Sequence, residues 1–333
     1  REGDSGLEPA SGARGGFWHP KHRPFLVGGP KARFGLFGRR EECVGDGRAL
    51  RKSHACWWGS WLLASWLAAA SGAAADDGLE QYGIFLESAP RPEVCEPAPT
   101  SLPLLLEPGD RICLIGNTLL ERAALFGDLP AVLHAGFPEH ELVIRTLAWS
   151  ADEVDLMPRP ENFADLEQHL LYAKADVILA ASGFNESFAG EAGLPAFEER
   201  LAAFVAGLKA KAFNGEAAPR IVLLSPIPNE NVAGVAAADR NNAAIAAYTD
   251  VMRTVAAEQG VGFVDLYGPM LQPLAASGDL TINGCHLSAA GYRRLADVLF
   301  RGLFEAAPPL ASEPLREAAV DLERQFLRGY RPP

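Results

Sequence analysis

Short apolar segments alternate with segments of helical length along residues 109–306 of this 333-residue chain. The apolar segments, such as residues 221–224, lack a regular alternation of polar and apolar side chains, which is typical of strands buried on both faces. The segments between them are long enough for the helix that a parallel crossover connection requires. The alternation therefore predicts an α/β fold, a three-layer α/β/α sandwich with a central parallel sheet.

The positions of the predicted elements indicate where a ligand would bind. Strands are predicted at 111–115, 141–149, 176–181, 220–225 and 261–266, and helices at 119–134, 163–174, 194–213, 241–259 and 288–304. One more helix is predicted at about 313–328, without an assigned role. Ligands of such sheets bind beyond the carboxyl ends of the strands. That rule selects residues 116–119, 149–152, 182–187, 225–231 and the loop before His286.

The formal net charge of −12 is distributed unevenly along the chain. Residues 1–75 carry 11 Lys/Arg against 6 Asp/Glu, whereas residues 76–333 carry 19 against 36. An acidic body repels phosphate backbones, and no cluster of basic residues follows residue 75 to override that repulsion. We therefore expect no nucleic acid among the partners of this protein.

Residues 47–75 have the pattern of a secretory signal peptide. Basic residues precede an apolar run at 57–70, and small residues lead to a cleavage site after Ala75. A retained membrane anchor through residues 57–75 is the alternative interpretation. With cleavage, we expect a secreted or periplasmic protein without a stable membrane span. Residues 1–46 precede this signal, and we interpret them as a leader that is non-native or disordered.

The rest of the chain divides into three segments. Residues 76–108 are rich in proline and predict an extended lead-in, residues 109–306 predict the folded domain, and residues 307–333 predict a C-terminal helix and tail. An exported protein meets oxidising conditions, which permit disulfides. The cysteines that follow the signal can form at most one disulfide, and the sequence leaves its pairing open; they are Cys95, Cys113 and Cys285.

Four short blocks at the predicted strand ends resemble, in the same order, those of the SGNH or GDSL-type hydrolases. They lie at residues 115–119, 147–152, 183–186 and 283–287, and the resemblance spans roughly residues 109–306. It implies a flavodoxin-like sandwich and an exported enzyme that hydrolyses an ester of a small molecule or carbohydrate, such as an acetyl or acyl ester. Residues 116–119 lack the further glycines of a dinucleotide-binding fingerprint, and the histidines show no metal-ligand spacing, so we expect no cofactor and no metal.

The resemblance implies three catalytic residues. Thr118 stands where the family has its serine nucleophile, His286 matches the catalytic base, and Asn283 stands where the family has the aspartate that orients the histidine. The methyl group of Thr118 stiffens the side chain and crowds its attack. The amide of Asn283 can hold the ring of His286 but cannot neutralise an imidazolium.

The remaining candidate residues belong to the oxyanion and substrate-binding region. The resemblance implies that the Thr118 N–H, the Ala151 N–H, where the family has glycine, and the Asn185 side chain stabilise the oxyanion. Asn117 and Glu186 adjoin these positions and are candidates for substrate binding. The departures from the family pattern leave a second function open, a catalytically impaired binding domain with the same fold. The sequence does not fix the oligomeric state.

Each site residue also has a structural interpretation. Threonine suits a helix N-cap, so Thr118 can cap the helix that it precedes. Glu186 and Asp152 are typical solvated loop carboxylates, although either can replace a missing acid. Cys285 and His286 are neighbours, and in an extended loop their side chains should point to opposite sides. The histidines at 134, 140 and 169 show no metal-ligand spacing.

Overall fold

The computed structural model describes residues 90–160, 163–277 and 279–331. The predicted leader and signal peptide, residues 1–46 and 47–75, lie outside the described residues. In the part of the chain that is described, no helix combines the length and the hydropathy needed to cross a bilayer.

A parallel five-stranded sheet forms the centre of the fold. Its strands are β2 (Arg111–Gly116), β3 (Val143–Thr146), β4 (Val177–Ala181), β6 (Arg220–Leu224) and β9 (Gly262–Val264). They lie side by side in the order β3-β2-β4-β6-β9. All five were predicted, with ends that differ by a few residues. The predicted α/β class with a central parallel sheet is confirmed.

Side chains from successive strand residues enter two separate cores, because strand side chains alternate between faces. The helices that cover the sheet are α1 (Thr118–Ala123), α2 (Asp128–Gly136), α3 (Leu166–Ala173), α4 (Leu194–Lys209), α5 (Ala237–Gln259), α6 (Tyr267–Ser277) and α7 (Ala289–Phe304). On one face, residues such as Leu114 and Leu179 pack against helices α1, α2, α6 and α7. On the other face, Ile115 and Ile178 pack against α3, α4 and α5. The arrangement is the predicted three-layer α/β/α sandwich.

The single helix predicted at 119–134 is two helices, α1 and α2, separated at Gly127. Gly127 adopts a φ of +72°, which side-chain-bearing residues rarely adopt. A Cβ atom there would also lie 2.7 Å from the carbonyl oxygen of Arg316 in the C-terminal helix α8 (Glu313–Tyr330). The break therefore permits the close approach of α8, a contact that a local sequence pattern does not reveal.

Three further features were not predicted from the sequence. Helix α6 contains Pro269 and Pro273, which made this segment resemble a loop. The short hairpin of β7 (Asn231–Val232) and β8 (Val235–Ala236) precedes α5. The two-residue strands β1 (Glu93–Val94) and β5 (Lys211–Ala212) pair antiparallel, so the lead-in is fastened to the domain.

Helix α8 lies beside the edge strand β3. The backbone N–H of Thr146, at the end of β3, donates to the buried carboxylate of Glu323 in α8 at 2.9 Å. Covering an edge strand in this way satisfies a backbone group that would otherwise be unpaired. The three cysteines in the described part of the chain are unpaired.

Candidate active site

Thr118, Ala151 and Asn185 lie in the segments that follow strands β2, β3 and β4, at the carboxyl edge of the sheet. Strand β2 lies between β3 and β4, so the segments after these three strands are neighbours. At the edge itself, a Cβ atom on Gly116 would lie 1.9 Å from the carbonyl oxygen of Ala181. Only glycine fits between these strands, which explains the glycine in the first sequence block.

Thr118 is the first residue of α1 and is half-buried. The prediction that Thr118 caps this helix is wrong. The N-cap is Asn117, whose buried side-chain oxygen accepts from the Leu119 N–H at 3.1 Å. Asn117 thus fixes the start of the helix. The Thr118 hydroxyl is left for another contact, and its oxygen accepts from the Ala151 N–H at 3.1 Å.

The oxyanion loop, residues 149–152, carries Ala151 to this position. The loop is fixed to the end of β2 by the Trp149 N–H, which donates to the Gly116 carbonyl at 3.0 Å. Ala151 itself adopts a φ of +62°, in the left-handed region that favours glycine. Alanine therefore retains the backbone shape that glycine adopts easily, and its N–H points at the Thr118 oxygen.

Replacing Ala151 with glycine is expected to stabilise the protein. Relief of the left-handed strain contributes about 1–2 kcal/mol, and the greater freedom of glycine in the unfolded chain offsets about half of it. A net gain of about 1 kcal/mol corresponds to roughly 2–4 °C in Tm for a domain of this size. Scanning calorimetry measures the shift. The matched control is Ala243→Gly, at an exposed alanine inside helix α5, where glycine should lower Tm. An equal decrease in both variants would contradict the strain at Ala151.

Asn185 follows strand β4 on the other side of Thr118. Its side-chain Nδ2 is buried and has no hydrogen-bond partner among the described residues. Burying an amide N–H without a hydrogen-bond acceptor costs free energy unless a ligand supplies the acceptor. The Asn185 amide is thus an unpaired donor after β4, and the Ala151 N–H is a donor in contact with Thr118. An oxyanion requires donors of this kind.

Glu186 and Asp152 are not the solvated carboxylates that the sequence indicated. The Glu186 carboxylate is buried and accepts from the backbone N–H groups of Gly183 at 2.9 Å and Val154 at 3.1 Å. Burial raises the pKa of Glu186 despite these bonds. Asp152 is buried in a two-bond ion pair with Arg159, at 2.6 and 2.8 Å. Both carboxylates shape the loops and have no contact that would make them substitutes for a catalytic acid.

His286 and Asn283 are in direct contact. The ring nitrogen Nδ1 of His286 lies 3.1 Å from Oδ1 and 2.9 Å from Nδ2 of Asn283. The other ring nitrogen, Nε2, makes no hydrogen bond to any described residue. Burial, followed by the positive charge of Arg122, lowers the pKa of His286. The imidazole is therefore neutral at pH 7, as a general base must be.

The expectation that Cys285 points away from His286 is wrong. Its Sγ lies 3.1 Å from His286 Nδ1. Asn283 Oδ1 accepts from the backbone N–H groups of Cys285 at 3.4 Å and His286 at 2.9 Å, which closes a turn and brings both side chains to one side. Burial raises the pKa of the Cys285 thiol, so the group is a neutral neighbour of the imidazole and not a thiolate.

Arg122 on α1 acts electrostatically on His286 and was missed in the sequence. It lies four residues after Thr118 on α1, hence on the same helix face, and this spacing was the available signal. Its charge lowers the pKa of His286. The Tyr292 hydroxyl also donates to the Leu119 carbonyl at 3.0 Å, which joins α7 to α1. Within the described residues, no hydrogen bond joins Thr118 directly to His286.

No group of three or more His, Cys, Asp or Glu side chains in the described residues is arranged to hold a metal ion.

Comparison with solved structures finds several hydrolases of low sequence identity. An α/β hydrolase from the metagenome of Lake Arreo is 21% identical, with 60% of this chain and 96% of that chain covered and a TM-score of 0.46. A GDSL-like lipase from Parabacteroides merdae is 15% identical, with 60% and 97% covered and a TM-score of 0.49. An acetylxylan esterase from Geobacillus stearothermophilus is 20% identical, with 59% and 95% covered and a TM-score of 0.46.

Comparison with curated proteins finds no match. The family model described as the GDSL-like lipase/acylhydrolase family matches residues 116–294, more than half of the chain. The match contains all the candidate site residues, from Asn117 to His286. The chain belongs to the GDSL-like lipase/acylhydrolase family of ester hydrolases.

Proposed function

We propose that this protein hydrolyses an ester by transferring the acyl group first to Thr118 and then to water. One observation carries the proposal. The Asn185 Nδ2 is buried without a hydrogen-bond partner among the described residues, while the Ala151 N–H donates to the Thr118 oxygen at 3.1 Å. A negative charge that develops on a carbonyl oxygen beside Thr118 would satisfy both donors.

In the first half of the reaction, the Thr118 oxygen attacks the carbonyl carbon and His286 Nε2 takes the hydroxyl proton. The Ala151 N–H, the Thr118 N–H and the Asn185 amide stabilise the oxyanion. Collapse of the intermediate breaks the bond to the leaving alcohol, which receives the proton from His286. In the second half, His286 activates water, which attacks the acyl-threonine and releases the acid and free Thr118.

Asn283 is proposed to orient His286, and its amide permits two arrangements. When Nδ1–H of His286 donates to Oδ1, Nε2 carries a lone pair and can accept a proton. When Nδ2–H of Asn283 donates to Nδ1 instead, the ring proton is on Nε2 and the base is blocked. The distances of 3.1 and 2.9 Å are compatible with both arrangements. Only the first supports turnover.

For the substrate, we propose an ester of a small molecule or carbohydrate with a short acyl group such as acetyl. Thr118, Asn185 and His286 are each half-buried at the sheet edge. Two surface grooves, of about 310 and 530 Å³, are lined by other residues, so neither one extends from the catalytic residues to hold a long acyl chain. Half-buried catalytic residues suit a leaving group that extends into solvent and a small acyl group.

The place of action remains an expectation from the sequence. The signal peptide that the sequence predicts at residues 47–75 supports the proposal of an exported enzyme, secreted or periplasmic.

Replacing Asn185 with alanine tests the proposal. Loss of one oxyanion donor is expected to lower kcat by about 10²–10³, with little change in KM. Hydrolysis of p-nitrophenyl acetate by the full chain measures both constants.

The matched control is Asn214→Ala. Asn214 donates to Asp176 at 2.8 Å near the amino ends of the strands, away from the site. The control should keep the kcat of the unmodified protein. Equal rates in the Asn185 variant and the unmodified protein would refute the proposed oxyanion site.

A further inference from the structure

The last described residues of the chain contact the oxyanion loop, although they lie beyond the family match at 116–294. The Arg331 guanidinium donates to the carbonyl of Ala148, the residue directly before the loop. Its Cζ also lies 4.4 Å from the centre of the Trp149 ring. Arginine stacks well on aromatic faces, so one side chain holds both the backbone and the ring.

Tyr330 holds the same segment from its other side. Its buried hydroxyl accepts from Trp149 Nε1 at 3.0 Å and donates to the Leu147 carbonyl at 3.1 Å. Two consecutive residues at the end of α8 therefore bind two consecutive carbonyls, those of Leu147 and Ala148. Arg159 stacks on Trp149 as well, with Cζ 4.6 Å from the ring centre.

Glu121 connects this contact to the nucleophile. It lies on α1, three residues after Thr118, and forms an ion pair with Arg331. The same carboxylate accepts from the hydroxyl of Ser150, the residue before Ala151. One carboxylate thus links the helix that begins at Thr118, the oxyanion loop and the C-terminal helix. Glu121 and Arg331 are each about one-fifth exposed, so solvent screens the pair only in part.

We propose that Arg331, paired with Glu121, is a positioning residue that holds the Ala151 N–H at the oxyanion position. The inference rests on the proposed function, in which that N–H stabilises the oxyanion. Ala151 is exposed and adopts a φ of +62°. Such a strained conformation persists only where surrounding contacts over-determine it. Arg331, Tyr330 and Glu121 supply those contacts from outside the loop.

Kinetics of the full chain test this role. Arg331→Ala is expected to lower kcat about 10- to 100-fold with KM within about twofold, because a small displacement of a donor weakens the transition state more than ground-state binding. Arg331→Lys should recover part of the loss, since it keeps the charge but not the planar stack. The matched control is Arg324→Ala on the same helix, an exposed residue whose pair with Asp321 spans 3.8 Å, and it should leave kcat unchanged.

Hydrogen exchange of the same proteins separates this inference from the proposed function. Arg331→Ala and Glu121→Gln should each speed exchange in residues 147–152 and leave strand β4 unchanged. Unchanged exchange in residues 147–152, or an equal loss of kcat in Arg324→Ala, would overturn the positioning role. If the unmodified chain hydrolyses no ester, the proposed function fails, and faster exchange confined to that segment still supports the contact that we propose.

Discussion

Replacing His286 with alanine is expected to lower turnover of a short acyl ester by about 10³-fold or more, to the background rate. His286 Nε2 is the base in the proposed mechanism, and its pKa is lowered by burial and by Arg122. The imidazole is therefore ready to take a proton at neutral pH. Initial rates on p-nitrophenyl acetate measure the loss, and circular dichroism verifies that the variant is folded.

Thr118→Ala should cost as much as His286→Ala, and the double variant should be no slower than either single variant. Residues that act as one catalytic unit are strongly non-additive, because removing one member already disables the others. If the loss of kcat in the double variant equalled the product of the two single losses, Thr118 and His286 would have independent roles. Equal rates for His286→Ala and the unmodified protein would exclude His286 as the base.

Replacing Asn283 with aspartate is expected to raise kcat by about 10²–10⁴. An aspartate can only accept a hydrogen bond, so Nδ1 of His286 must carry the proton and Nε2 must be free. Its negative charge also stabilises the imidazolium that forms during the attack. The opposite change, aspartate to asparagine, lowers turnover in a serine protease by about 10⁴ through the wrong tautomer. Steady-state kinetics and the shift of the ring-nitrogen NMR signals of His286 measure both effects.

Asn283→Ala is the matched control for that gain. It removes the amide contact without supplying a charge, so kcat should fall below that of the unmodified protein. An unchanged or lower kcat in Asn283→Asp would contradict the tautomer argument. The unmodified protein could hydrolyse no ester while Thr118→Ser combined with Asn283→Asp restores turnover. That result would identify the natural protein as a catalytically impaired binding domain, the alternative function that the sequence left open.

The architecture could be predicted from the sequence because its signal is local and repeated. The central strands β2, β4 and β6 are buried on both faces, so their apolar runs are visible without knowledge of their neighbours. The rule that ligands bind beyond the carboxyl ends of parallel strands then identified the segments that contain Thr118, Ala151 and Asn185. The roles of these residues in catalysis are still predictions.

The sequence-based predictions failed where a side chain closes a turn of the backbone, or where segments distant in sequence come into contact. The Asn283 side chain closes a turn that brings Cys285 to His286, and an extended-loop assumption cannot foresee it. Glu186 is buried because two loops wrap around it. The contact of Arg331 with Glu121 joins residues 210 positions apart, beyond the reach of any local pattern.

The register of the sheet separates the rigid from the adaptable parts of this site. Gly116 and Ala181 are paired on adjacent strands, Thr118 lies two residues after Gly116, and Asn185 lies four residues after Ala181. Both segments therefore begin at strand ends that hydrogen bonding holds about 4.8 Å apart. The segment that carries Asn283 and His286 belongs to no central strand. Directed evolution toward new esters should therefore begin with the residues of this segment other than Asn283 and His286, where variation leaves the strand ends before Thr118 and Asn185 intact.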